Sequence, residues 1–300
     1  MDASKPRPKL KQRIKFHTKR YIEYEDIAFK YFGIVCTSFG IIVLLLFLLN
    51  LISTGISRID WNFITELPSR KAERAGIYTA WVGTLWILFL TAIIAFPIGI
   101  GAGVHLEEYS KRGRLSSFLE INIANLAGVP SIIYGLLGLE LFARAFSIGE
   151  SLLTGSLTLA LLIIPIIIVS TREALKSVPR TLREASYALG ASKWQTIWHQ
   201  ILPAAASGIF TGVILALSRA VGETAPLIVI GALAFVPFVP ESIFDSFTVL
   251  PIQIFNWVSR PQKAFSINAA AAIIILLFIT FSMNVVAVYL RHQWQKKVKW

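Results

Sequence analysis

The sequence predicts an all-α integral membrane protein in which six transmembrane helices form one membrane domain. Composition, six apolar runs of spanning length, and a lopsided placement of basic residues lead there. Of the 300 residues, 55% are hydrophobic and 15% charged, against about 45–50% and about 25% in ordinary soluble domains. No soluble core absorbs that excess. A helix needs about 20 apolar residues to cross hydrocarbon, and such runs lie at Ile34–Leu51, Trp81–Val104, Phe118–Phe142, Leu152–Ser170, Ala204–Val236 and Ile267–Leu290. The third and fifth carry internal Gly and Pro, which leaves their ends open.

Lys and Arg orient the bundle. With six spans, twenty-one of them fall on one side, nine before residue 31 alone, and seven on the other (Arg58, Arg70, Lys71, Arg74, Arg144, Arg260 and Lys263). The positive-inside rule then puts both termini in the cytoplasm, in agreement with the even number of spans. The net charge of +12 thereby has a membrane explanation. No aromatic-interleaved basic face accompanies the Lys-rich start, so nucleic acid is not an expected partner. Residues 1–30 read as a basic cytoplasmic tail, disordered or resting on anionic lipid headgroups, 31–291 as the membrane domain, and 292–300 as a second basic tail.

The first run is too long and starts too late for a removable signal, and STGISR after it offers no small-residue cleavage site. The sole cysteine, Cys36, lies in that run and forms no intrachain disulfide. Ser57–Tyr78, with Trp61, Phe63 and Pro68, reads as an outer loop with a short interfacial helix. Pro237–Ser266 reads as a second outer loop. Each is either a landing surface for something arriving from outside or a plain connector. IGIGAG at Ile98–Gly103 follows an apolar run and Pro97 instead of a strand, so it implies close helix packing, not a dinucleotide site. His17, His105, His199 and His292 are scattered and suggest no metal site. The chain has no Gly-x-x-x-x-Gly-Lys-Ser/Thr, so ATP is not expected to bind a P-loop of its own.

Between the fourth and fifth runs, Glu184–Pro203 (EASYALGASKWQTIWHQILP) is amphipathic and predicted to face water. Helical spacing brings Leu182, Ala185 and Leu189 to one side, and after Gly190 a second pattern starts with Trp194, Ile197, Trp198 and Ile201. Glycine between two short helices permits a turn that other residues resist. The segment resembles the coupling motif of ATP-binding-cassette importer permeases, on Glu184, Ala185, Ser186, Gly190, Leu202 and Pro203, with Ser186 where the family has Ala. The resemblance implies the type I importer permease fold and docking of segment 181–203 on a separate ATPase. The alternative is a helix lying in the membrane interface.

The fifth run contains SGIFTGVILALSRAVGETAP. At 100° per residue from Gly208, Arg219 falls near ~20°, Gly212 near ~40°, Glu223 near ~60° and Ala216 near ~80°. Both charges thus share a stripe with small residues, which faces protein or water instead of lipid. Arg219 is about 24 Å along the helix from Pro203, at a depth where an ionised group costs at least about 2.5 kcal/mol and needs a partner. Arg219 and Glu223 either neutralise each other or serve a third charge. Arg followed by Glu is the less favourable order for a helical pair, and a guanidinium offers a planar fork to a tetrahedral oxyanion.

SRAVGETAPL (Ser218–Leu227) and NLAGVPSIIYGLLGL (Asn125–Leu139) are similar to PstA-type permeases of phosphate-specific importers, over about Thr79–Leu290. The sister PstC-type permeases usually have Met after GET, where this chain has Ala225 and Pro226. The resemblance implies a phosphate route lined by Arg219 and Arg172 with Glu223. Asn125, Ser131 and Tyr134 lie beside Gly128, Pro130 and Gly135, where a helix break exposes donors to an anion or merely packs a kink. Glu140 and Arg144 read as a local pair. The implied partners are a PstC-type permease, a PstB-type ATPase dimer that binds ATP and Mg, a periplasmic PstS-type phosphate-binding protein and membrane lipids. The chain would hold no cofactor and do no covalent chemistry in a bacterial inner membrane. Rival readings are a permease for sulfate or molybdate, an ion-coupled secondary transporter, and a membrane scaffold or sensor.

The charge asymmetry generates a topological prediction. In a Cys36-free background, Ser69→Cys and Ser192→Cys are expected to react with an impermeant thiol reagent from opposite sides. Labelling of both in intact cells would overturn the six-span topology.

Overall fold

The computed structural model describes the backbone of residues 10–110, 113–232 and 235–297, and side chains over residues 25–110, 113–232 and 235–293. Among the described residues it is all helix and loop, without a strand. Five helices are long and apolar enough to cross a membrane, and a sixth span results if one bent pair is counted as a unit. The chain divides into two compact units, Met1–Ser53 and Thr54–Trp300.

The first unit is the greater part of α1 (Leu10–Gly55). Most of its described apolar side chains, among them Phe39, Leu46 and Leu49, are exposed, as suits lipid contact. Helix α1 includes residues 10–30, so the segment expected as a tail, disordered or on headgroups, is helical backbone from Leu10 onward. Residues 1–9 lie outside the described residues.

The second unit is built on α3 (Tyr78–Val104), α6 (Leu152–Lys176) and α9 (Leu202–Gly222). Gly99 sits against Ile167, Gly103 against Thr171, and Gly155 against Ile87, a constant offset of 68 that makes α3 and α6 parallel. The small residues of IGIGAG therefore bring two backbones close, as expected from the sequence. Helix α9 runs antiparallel to α6, with Gly208 on Ala174 and Gly212 on Ser170. Thr158 and Ser156 return their hydroxyls to carbonyls four residues back, at 2.8 Å each, so their burial leaves no unpaired donor.

Two expected spans are broken. The third divides into α4 (Arg114–Leu126) and α5 (Ser131–Gly138), which continues as a π-helical turn to Ala145, with a bend of 101° between the halves. Gly128, Val129 and Pro130 supply the break, because proline has no N–H and pushes its predecessor out of the helical region. The fifth was expected as one run, Ala204–Val236. Instead α9 stops at Gly222, Glu223 is extended (φ −75°, ψ 117°), and the short α10 (Ala225–Val229) follows. Pro226 at the start of α10 is the cause, since a proline is tolerated in a first turn but not inside a continuing helix.

The connections before α3 and around Leu250–Val258 fold as packed structure. Asp60 caps α2 (Trp61–Thr65) by accepting from the Phe63 N–H at 2.6 Å, and Phe63 is fully buried with its ring centroid 6.0 Å from Trp257. Trp257 belongs to α11 (Leu250–Val258), whose first N–H donates to Thr84 Oγ1 of α3 at 2.9 Å. Helix α12 (Lys263–Lys297) then covers six of the nine residues assigned to the C-terminal tail, and residues 298–300 lie outside the described residues. Arg58 donates to Asn268 Oδ1 of α12 at 3.2 Å and to the Glu73 carbonyl at 2.9 Å, tying the loop before α3 to α12.

A side chain at Gly99 meets Ile167, whereas one at Gly101 meets open space. Gly99→Val is expected to destabilise the purified protein by about 1–3 kcal/mol, read as a lowered midpoint of thermal unfolding in detergent. Gly101→Val is expected to leave the midpoint in place, and equal effects of the two would refute the α3–α6 register.

Candidate functional site: a charged joint between two broken helices

The two breaks meet. Gly135 of α5 lies against the backbone of Pro226 and the side chain of Val229 in α10, so closely that no Cβ fits. At this joint Arg219, in the last turn of α9, places Nε 3.3 Å from Glu223 Oε1. Glu223 is not on the helical stripe expected for it. It is the first residue past the helix end, and its extended backbone swings the carboxylate back to the guanidinium. The last turn also favours a cation through the partial negative charge of the unpaired carbonyls. The Arg219 side chain is 42% exposed and that of Glu223 16%, so the pair has one open side. Gly222, between them, has nothing within 4 Å of where a side chain would start.

Tyr134 lies within electrostatic reach of Arg219. Its hydroxyl donates to the Leu126 carbonyl at 2.8 Å, across the bend from α5 to the end of α4. This bond is the contact that the kink-packing reading of Tyr134 calls for. The Asn125 carbonyl accepts from Gly128 N–H at 3.0 Å and so closes α4, while its side chain is exposed. Ser131, half-buried, opens α5.

Arg172 is elsewhere. By the α6–α9 register it is level with Phe210, nine residues or ~13 Å along the helix from Arg219. It is 12% exposed and held by two carboxylates, Glu107 Oε2 at 3.4 Å and Glu120 Oε1 at 2.6 Å. Sequence reasoning missed both. Their signal was present as carboxylates at the ends of spans where basic residues predominate. Glu140 and Arg144 form the local pair expected of them, on an exposed surface.

The segment 181–203 lies at the far end of α9 from this joint. It comprises α7 (Arg180–Ala188), a turn, α8 (Lys193–Thr196) and a π-helical turn, Ile197–Ile201, that leads into Leu202 and Pro203. Gly190 has φ +83°, and the bonds Ala191 N–H to Ser186 O (3.2 Å) and Gly190 N–H to Tyr187 O (2.9 Å) close a Schellman turn. Ser192 and Gln195 cap α8 reciprocally. The two apolar patterns split on folding. Ile197 and Ile201 are fully buried and Leu182 is partly buried in the core, while Ala185, Leu189, Trp194 and Trp198 are exposed with Glu184. Trp194 and Trp198 stack at 5.5 Å. Ser186, where the motif ordinarily has Ala, shares a hydrogen bond of 2.9 Å with Thr196 Oγ1 and joins the two short helices.

Residues 95–296 match the family described as binding-protein-dependent transport system inner membrane component. The chain belongs to this family. It is 31% identical over 273 residues to the probable ABC transporter permease protein YqgI of Bacillus subtilis, covering 86% of this chain and 92% of that one. It is 34% identical over 226 residues to the phosphate transport system permease protein PstA 1 of Mycobacterium tuberculosis (75% and 72% covered). It is 33% identical over 272 residues to the phosphate transport system permease protein PstA of Haemophilus influenzae (90% and 94% covered). Among solved structures, the fold is similar to a bacterial alginate ABC transporter in complex with its pentasaccharide-bound periplasmic protein, with TM-score 0.61 and 15% identity over 93% of this chain and 96% of that one. It also resembles the inward-facing MetNI methionine ABC transporter, with TM-score 0.59 and 20% identity over 71% and 93%. The chain is thus a multi-pass inner-membrane component of an ABC-type, binding-protein-dependent transport system with the type I importer permease fold.

The bond across the bend gives Tyr134 a measurable structural part. Tyr134→Phe is expected to lower unfolding stability by about 1 kcal/mol, read by thermal unfolding in detergent. An unchanged midpoint would return the hydroxyl to the other reading.

Proposed function

We propose that this chain is the PstA-type subunit of an importer for inorganic phosphate, with Arg219 as the fixed cation of the route and Glu223 as its orienting carboxylate. The observation that carries the reading is the open-sided Arg219–Glu223 pair at the joint of two broken helices. A phosphate ion leaving water needs compensating charge, which a guanidinium supplies without gaining or losing a proton. Glu223 holds one edge of the fork, and the exposed remainder is free to take an oxyanion. A carboxylate can also accept a hydrogen bond from a protonated phosphate oxygen. The phosphate permeases among the relatives support the choice of anion.

In this reading a PstC-type permease completes the pathway and contributes its other wall. Asn125 and Ser131, on the rim of the α4–α5 break, face that wall. Arg172, already neutralised, keeps the inner ends of α3, α4 and α6 together until the anion has passed the joint. The exposed surface of Glu184, Ala185, Leu189, Trp194 and Trp198 docks on a PstB-type ATPase dimer, and Gly190 sets the angle between its halves. ATP and Mg bind the ATPase, so this chain does no chemistry of its own. A PstS-type protein delivers phosphate at the packed outer loops, with both termini of this chain in the cytoplasm.

The test is phosphate uptake at matched expression. Arg219→Gln keeps donors but removes the charge, and is expected to lose uptake by at least tenfold with assembly intact. Arg219→Lys is expected to be intermediate, as a point charge without the fork. Near-normal uptake when Arg219→Gln is combined with Glu223→Gln would make the pair structural and defeat the assignment. Uptake competed better by sulfate or molybdate than by phosphate would replace the anion.

A further inference from the structure

We propose that Arg183 is the positioning residue through which motion of the water-exposed α7–α8 segment reaches the membrane helices. It acts by a clamp with Glu108 and the last carbonyls of α6. The inference rests on the reading of the chain as an ATPase-coupled subunit, and goes beyond it by naming the mechanical link.

One guanidinium joins three elements. Nη2 and Nε of Arg183 donate to Glu108 Oε1 at 2.7 and 3.3 Å, Nη1 donates to the Val178 carbonyl at 2.9 Å, and Nη2 to the Leu175 carbonyl at 3.0 Å. Leu175 is in the last turn of α6 and Val178 just follows it, so Arg183 adds charged donors to the carbonyl-rich end of the helix, where the Leu175 carbonyl also accepts from the Val178 N–H at 3.3 Å. Glu108 lies in the π-helical turn His105–Tyr109 that ends α3. Its side chain is 8% exposed and that of Arg183 18%. A carboxylate so buried cannot leave its cation without remaining unpaired in a poor solvent, so the pair moves as a unit.

The rest of α7 is held more lightly. No residue between Arg180 and Ala188 is fully buried; Leu182 packs only partly against the core and Ser186 bonds within the same segment, to Thr196, so the charged, directional tether of α7 to α3 and α6 is Arg183. A polar cavity of about 470 Å³ beside it, lined by Glu107, Lys176 and Arg180 among others, leaves room for α7 to tilt. The π turn completes the linkage. Adjacent Glu107 and Glu108 reach different elements, Glu107 pairing with Arg172 of α6 and Glu108 with Arg183 of α7, and Arg172 in turn holds Glu120 of α4. A displacement of α7 thus passes to the ends of α3 and α6, and from Arg172 to the inner half of the broken span.

The test uses the assembled complex in lipid vesicles with its binding protein, measuring phosphate imported per ATP hydrolysed. Glu108→Gln keeps the size of the side chain and leaves Arg183 its two carbonyls, yet is expected to lower the ratio about tenfold at normal assembly. Arg183→Gln is expected to lower it at least as far, and Arg183→Lys to fall between. The two Gln changes together are expected to be no worse than Arg183→Gln alone, since both remove one interaction. An unchanged ratio in Glu108→Gln, transport lost only in proportion to assembled complex, or independent effects that multiply in the double variant would each overturn the clamp. Should Arg183→Gln fail to assemble, Glu108→Gln decides. Nucleotide-independent uptake by the unmodified complex would instead defeat the importer reading on which the clamp rests.

Discussion

A helix that stops inside a membrane leaves backbone N–H and C=O groups with neither water nor an intrahelical partner. This protein interrupts two spans, and the rest of its site depends on how the interruptions are closed. The start of α10 packs on the middle of α5 through the bare backbone of Gly135 against Pro226. Tyr134 returns a hydroxyl to the Leu126 carbonyl across the α4–α5 bend. Only with both breaks so closed can α9 end at Gly222, and only because it ends there does Glu223 reach back to Arg219 from an extended backbone. A straight fifth helix would have carried the pair on its side, sealed within one turn.

Three arginines illustrate how exposure separates roles that charge alone does not. Arg172 and Arg183 are 12% and 18% exposed, each with a strong carboxylate contact, whereas Arg219 is 42% exposed with a single longer one. An anion competing for a guanidinium must displace its carboxylate and leave that group unpaired, a cost that rises with burial. The proposed pathway cation is therefore the arginine whose partner leaves one side open. The two deeper ones hold helices together at the opposite end of the chain's membrane unit, one beside the segment whose exposed tryptophans and Leu189 form the proposed ATPase contact.

The small-residue pattern has a comparable division. In α3 and α6, Gly99, Gly103 and Gly155 let two parallel helices approach until side chains of one touch backbone of the other. That pair carries the aromatic cap of Phe63, Trp257 and Phe265 at one end and the charged π turn His105–Tyr109 at the other. Gly190 has a different duty, since its positive φ closes a helix with no neighbour pressing on it.

Much of this was legible in the chain itself. Length of apolar run, basic asymmetry and glycine spacing are local or additive properties, so the spans, the α3 packing motif and the Gly190 turn follow from sequence, and the coupling and GET motifs identify the kind of transporter by resemblance. Partner choice between elements distant in sequence is not additive. That α10 would settle on α5, that Ile197 and Ile201 would turn inward while Trp194 and Trp198 turn outward, and that Glu107, Glu108 and Glu120 would claim Arg172 and Arg183 depended on which surfaces the folded bundle left facing each other. The sequence determined which residues could be charged or small at a given depth. The tertiary structure decided which charges were spent on each other and which one stayed open, because burial and pairing are properties of neighbours and not of the residue that carries the charge.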